Sequence, residues 1–514
     1  MSTKLTLKKI VIIICFAGLM VIDHIVGSRD GKLQYIAQNC TGLLMAAVIC
    51  TGFRKEDFFN RANLVWTVLA AIGFAVAAYL GVTNFKYIGQ WITGCLNVWV
   101  YGYVVIKMIK DAFVRKSLDF VRAPFFVLWT VMFLIMIFSK DDSLWPAWFM
   151  VMFAGFYLTK YDDESIRGMM SDAAMGIIVG FFLIQGHALL FRPYDVVRYK
   201  GFYANENMNA CMYIVTFAAS LYRWFEAVCN DRRRIEKVLF MLLSGGLFGF
   251  VFMTMCRTAL LVMFAVGGIG LIMMSVVSAK GRAKSFVLRA LLLAVISLVS
   301  VPVDYALVRY MPTILHHPVW FAEAFSDDFV LSFDPADSPK YISFDEMMDT
   351  ALGRIDMLET SQINNSRIGL LAALPEYAIT VKDKDSVSIR IAIYKRYLES
   401  LNMWGHKRAD NNFELYSSKG KFMIAVQHPH NILLQIGFSF GVIALALFGL
   451  LIVSMLVVGI KCFASKQYET GFMIVVCTLT TVLFGMLEVD WRLGQIAFTI
   501  LFASMRGLIC KSDK

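Results

Sequence analysis

The sequence predicts an all-α polytopic membrane protein, with about 12–14 transmembrane helices and one long external loop. Three observations carry that prediction. First, the 514-residue chain is 58% hydrophobic and 17% charged, with a mean hydropathy of +0.64. A soluble protein of this length could not hide so much apolar surface. Second, apolar runs of about 20 residues recur along the chain, each long enough to cross a bilayer as a helix. The shorter alternating pattern of membrane barrel strands is absent. Third, the basic residues gather in alternate loops.

Taken in order, the candidate spans are 10–27, 34–53, 63–83, 87–106, 123–139, 143–159 and 169–191, then 207–222, 238–255, 258–278 and 286–303, and finally 431–460, 470–487 and 493–509. The first follows Lys4, Lys8 and Lys9 and resembles a signal sequence. It lacks a small-residue cleavage site, so it is expected to stay as the first helix.

The formal charge of +11 is topological. With a cytoplasmic N-terminus, the inner loops collect Arg54, Lys55 and Arg61; Lys107, Lys110, Arg115, Lys116 and Arg122; Arg223, Arg232, Arg233, Arg234 and Lys237; and Lys280, Arg282, Lys284 and Arg289. That is the positive-inside pattern, and it leaves no signal for a nucleic-acid partner. The expected organisation is therefore helices 1–11 in 1–303, an external segment in 304–430, and helices 12–14 in 431–514. The external segment is nearly neutral, with 13 Lys plus Arg against 16 Asp plus Glu over 305–429. Its stretch SVSIRIAIYKRYLESLNMW (386–404) has apolar residues at helical spacing and reads as an amphipathic helix. A connector of this length is usually functional. The ten cysteines are scattered and none lies in 304–430, so no disulfide framework appears.

Three polar sites stand where lipid would be expected, all on the outer face in this orientation. They are RYKGFYANENMNA (198–210), Arg257 in TMCRTALL, and HPHN (428–431) at the mouth of a long apolar run. Arginine at a membrane boundary can simply snorkel, but the hairpin around Arg257 is otherwise apolar. The seven histidines, His24, His187, His316, His317, His406, His428 and His430, also fall at or near that face. Metal-binding histidines on a helix favour i,i+4 spacing, and no Cys or carboxylate near the HPH pair completes a ligand set, so no metal is expected.

At these residues the chain resembles the bacterial O-antigen ligases and polymerases. GFYANEN is similar to that family's G-x-x-x-N-x-N element (Gly201, Asn205, Asn207), with Arg198 upstream and Glu206 where a proline is usual. MCRTALL resembles its serine-arginine-small element, with Cys256 in the serine place. HNILLQIGFSFGVIA resembles the ligase signature through His430, Asn431 and Gly441, and departs from it at Ala444. SIRIAIYKRYLESLNMWGH, with Arg390, Trp404 and Gly405, is similar to the family's loop helix and the turn after it. The resemblance covers about 190–445.

The resemblance implies a multi-helix, GT-C-like glycosyltransferase fold in the bacterial cytoplasmic membrane. By that resemblance the donor would be a glycan on undecaprenyl diphosphate, and the acceptor a lipid or glycan hydroxyl at the outer face. His430 would be the general base. Arg198, Arg257 and Arg390 would hold the leaving diphosphate in place of a metal ion, and no cofactor is implied. His428 would support His430. The acceptor separates two enzymatic readings, an O-antigen ligase and a surface polysaccharide polymerase. A flippase or transporter of lipid-linked oligosaccharide is the non-enzymatic alternative, but its polar residues should lie near the bilayer midplane and in related halves.

Overall fold

The computed structural model describes residues 6–486, apart from 28–30, 82–87, 115–123, 142–144, 159–162, 192–193, 195–197, 202, 204–205, 278–281, 316–318, 322–329, 333–341, 357–377, 382–385, 408–409, 411–412, 418–421 and 427. The expected span at 493–509, both termini, Asn205, Arg115, Lys116, Arg122, Lys280, His316 and His317 lie outside the described residues, as does the side chain of His24.

The chain is an all-α polytopic membrane protein. Its helices are α1 (Leu7–Gly27), α2 (Gly31–Cys50), the single turn α3 (Lys55–Phe58), α4 (Arg61–Tyr79), α5 (Ile88–Val114), α6 (Pro124–Ile137), α7 (Trp145–Leu158), α8 (Asp163–Phe191), α9 (Glu206–Cys229), α10 (Arg234–Met253), α11 (Arg257–Val277) and α12 (Arg282–Ile314). After the long segment come α15 (Ile432–Phe440), α16 (Val442–Ala464) and α17 (Tyr468–Gly485). Among the described residues, eight helices are long and apolar enough to cross a membrane: α4, α5, α8, α10, α11, α12, α16 and α17. Their outward faces carry large apolar side chains, such as Leu288, Leu291, Val295 and Leu298 on α12. Such faces suit lipid and not water.

Helix α9 is different. Every residue from Asn209 to Ala227 is buried, and α8, α10, α11 and α17 pack around it. Ringed by helices, α9 can hold Asn209, Thr216, Ser220, Arg223 and Glu226 without exposing them to lipid. Near its C-terminal end Phe225 stacks on Phe472 of α17 with centroids 4.0 Å apart. Just beyond that end, the Asn230 amide donates to Glu469 Oε1 at 2.6 Å. Contacts between the end of one helix and the start of the other make α9 and α17 antiparallel. The first residues of α9 and the last of α17 therefore share one end of the bundle. The opposite end holds charge: Arg223 pairs with Glu226, which also accepts from Arg232 at 2.7 Å.

A second charged cluster joins α3 to α5. Lys107 lies 3.2 Å from Asp57 and 2.9 Å from Asp111, and all three side chains are buried. Burial alone would raise the Asp57 carboxyl, but the Arg54 amide and the Lys107 and Lys110 ammonium groups hold it below its usual range.

Boundaries differ from expectation at both ends of the long segment. Helix α12 continues past 303 to Ile314 with Pro302 and Pro312 inside it, because hydropathy falls there while Tyr305 and Val308 still pack inward. The expected span 431–460 is two helices, broken at Gly441 with φ +92°.

The segment between α12 and α15 carries short strands that periodicity did not announce. Strands β1 (Val319–Phe321) and β2 (Val330–Ser332) are antiparallel, and α13 (Phe344–Asp356) follows. Strand β3 (Ala378–Val381) pairs parallel with β4 (Phe413–Ser417), which pairs antiparallel with β5 (Phe422–Val426). The expected amphipathic helix is α14 (Ser386–Glu399). Its Ile393 and Tyr397, one turn apart, pack with Phe413, Val426, Leu434 and Phe438. One small core thus joins α14, the sheet and α15.

Candidate active site

Strand β5 delivers the chain to the turn His428–Pro429–His430, and Asn431 starts α15. The Asn431 side chain accepts from the amides of Leu433 at 2.9 Å and Leu434 at 3.1 Å. It is the N-cap, and it satisfies amides that a helix start otherwise orphans. Its Nδ2 donates to the Met486 carbonyl at 2.9 Å, just past the end of α17. His430 has φ +50°, a left-handed conformation uncommon for a residue with a side chain. The His428 and His430 rings meet edge to face, centroids 4.3 Å apart.

The Tyr394 hydroxyl on α14 faces the carbonyls of His430 at 3.1 Å and Met486 at 3.3 Å. Arg390 lies one helical turn before Tyr394, on the same side of α14. Arg390, 40 residues before His430 in sequence, thus stands on the side of α14 whose Tyr394 meets the His430 turn.

The first two sites meet in the same way. Tyr199 N–H donates to the Met253 carbonyl at 2.9 Å, and Arg198 Nε donates to the Thr254 carbonyl at 2.9 Å. Three residues after Thr254, Arg257 opens α11. The Arg198 guanidinium also donates to Asn207 Oδ1 at 2.9 Å and lies 3.4 Å from Glu206 Oε2. Gly201 turns the chain between them with φ +53°. Beneath, Asn209 Nδ2 donates to the Tyr213 hydroxyl at 3.2 Å, and that hydroxyl donates to Gln185 Oε1 at 2.8 Å. These polar groups anchor the 198–210 turn in the bundle.

Because α9 begins where α17 ends, the Arg198–Arg257 set and the His430–Arg390 set occupy the same end of the bundle. Helix α17 packs on α9, α11 and α15, and so lies between them. Among the described residues, no group of three His, Cys, Asp or Glu side chains gathers in a metal-binding arrangement.

Gly441 holds the α15–α16 break against the turn after α14. A Cβ there would strike the Met403 carbonyl, and one on Gly405 would strike the Ser439 carbonyl. Val442 N–H donates to the Asn402 carbonyl at 2.9 Å, and His406 N–H to the Phe438 carbonyl at 2.9 Å. Two glycines with positive φ thus let the two backbones touch. His406 itself stacks on Phe438 with centroids 4.3 Å apart, which is a packing role.

Tyr394 and the Met486 carbonyl were not visible in the sequence: a tyrosine within an amphipathic pattern looks like core, and a backbone oxygen has no sequence signature. Glu206 was visible only as a departure from proline.

The arginine turns and the histidine turn thus stand at one end of the bundle. Residues 239–449 match the family model described as O-antigen ligase. The matched region includes Arg257, Arg390, His428, His430, Asn431 and Gly441, while the Arg198 turn lies upstream of it. No curated protein matches the chain.

Proposed function

We propose that this chain transfers a glycan from an undecaprenyl-diphosphate carrier to an acceptor hydroxyl at the outer face of a bacterial cytoplasmic membrane, in the manner of an O-antigen ligase. Residues 304–430 then form the external segment. The observation that carries this reading is the gathering of Arg198, Arg257, Arg390 and His430 at one end of the bundle. The basic cytoplasmic loops around Arg232 and Arg282 belong to the other end.

In the proposed mechanism His430 takes the acceptor hydroxyl proton as the oxygen attacks the anomeric carbon. The bond from that carbon to the diphosphate oxygen breaks on the opposite side, so configuration inverts in one displacement. The diphosphate leaves with charge that arginine forks are suited to hold. His428, whose ring abuts that of His430, shapes the entrance. Asn431, Asn207 and Gly201 support the two turns, and Gly441 holds the break between α15 and α16.

Mass analysis of surface glycans from a deletion strain tests the reading and fixes the acceptor class. Loss of attachment with chain length intact identifies a ligase, and loss of chain length identifies a polymerase. Unchanged glycans on both counts would contradict the assignment.

A further inference from the structure

Tyr394 has two parts with separate tasks. Its ring packs beside the core that Ile393 and Tyr397 build with Phe413, Val426, Leu434 and Phe438. That core already fixes α14 to the sheet and α15, so a phenylalanine would pack as well. The hydroxyl does something packing does not need. It lies 3.1 Å from the carbonyl oxygen of His430 and 3.3 Å from that of Met486.

The acceptors explain why this is consequential. Met486 caps α17 at a position where helix carbonyls lack an internal partner, and its oxygen also receives the Asn431 amide at 2.9 Å. His430, adjacent to Asn431, holds φ +50°, a conformation that costs energy in a residue with a side chain and persists when its surroundings hold it. Three contacts therefore converge on one turn from three elements: the α14 hydroxyl, the α17 carbonyl and the α15 N-cap. They fix the backbone from which the His430 ring projects.

We propose that Tyr394 is a positioning residue, whose hydroxyl holds the left-handed backbone of His430 and so aims its imidazole at the acceptor. The inference rests on the reading of His430 as the base. It adds a residue from the external segment to that machinery, and makes α14 part of the site and not merely a cover over it.

The test is Tyr394→Phe, measured in purified membranes both alone and combined with His430→Ala. Alone, kcat should fall about tenfold, the size of one lost hydrogen bond, while KM for the carrier-linked donor and the thermal midpoint hold. In the His430→Ala background, the same change should cost nothing further. Unchanged kcat in Tyr394→Phe would overturn the positioning role and leave the base assignment standing. An equal loss in both backgrounds would also overturn it, since Tyr394 would then act by another route. Wild-type transfer by His430→Ala would remove the base assignment and this inference together.

Discussion

Arg198 and Glu206 face each other across 3.4 Å at the first turn of α9, and the same guanidinium is bound by Asn207 and the Thr254 carbonyl. A diphosphate approaching Arg198 must therefore compete with a carboxylate already in place. Replacing Glu206 by Gln removes that competitor while keeping the shape. A partly exposed pair of this kind is worth about 0.2–1 kcal/mol. KM for the donor should accordingly fall by up to about fivefold with kcat unchanged. A raised KM in steady-state kinetics would mean that Glu206 assists binding.

Arg198→Lys and Arg257→Lys should each impair turnover strongly, because a point charge cannot reproduce a planar fork. The loss of one such donor is on the order of 3 kcal/mol, or about a hundredfold in rate. Turnover assays with the lipid-linked donor decide this, and lysine variants at wild-type rate would show snorkelling arginines. The same assays should survive EDTA; loss on chelation that a divalent ion restores would favour a metal mechanism at the HPH turn.

Gly441→Ala should destabilise the protein by more than about 1 kcal/mol, from positive φ and from collision with the Met403 carbonyl. Thermal unfolding in detergent measures it. Gly449, whose Cβ would meet nothing within 4 Å, is the control and should tolerate Ala.

Orientation has its own test. External thiol reagents should reach cysteines introduced in 342–356 or 386–407 and miss those introduced at Arg232–Arg234. The reverse pattern would put Arg198, Arg257 and His430 on the cytoplasmic side and end the proposed chemistry.

Each expected span from the first to the thirteenth falls on helix, because lipid demands long apolar runs and such runs are visible by eye. Helix α9 was found despite its polar residues, but its place at the centre was not. Only packing shows that Asn209 and Glu226 face protein. The break at Gly441 escaped because hydropathy runs smoothly from Ile432 to Ala464, and hydropathy does not register a backbone angle. Strands β3 to β5 escaped because four or five residues hold too few alternations to stand out. Arg198, Arg257 and His430 were each legible as polar residues at apolar boundaries, and Arg390 through the resemblance of its helix to the family's loop helix. Their common face followed from the loop charges, but the contacts that join them did not, since these depend on the antiparallel pairing of α9 with α17 and on a tyrosine hydroxyl.

The proposed chemistry turns on His430 as the base of an inverting transfer. The most direct measurement is glycan transfer by His430→Ala in purified membranes, with the anomeric configuration of wild-type product read by NMR. The expected result is a rate lower by about 10²–10⁴, intact folding and carrier binding, a smaller loss for His428→Ala, and product inverted relative to donor. Near-normal transfer by His430→Ala, or product that keeps the donor configuration, would contradict it.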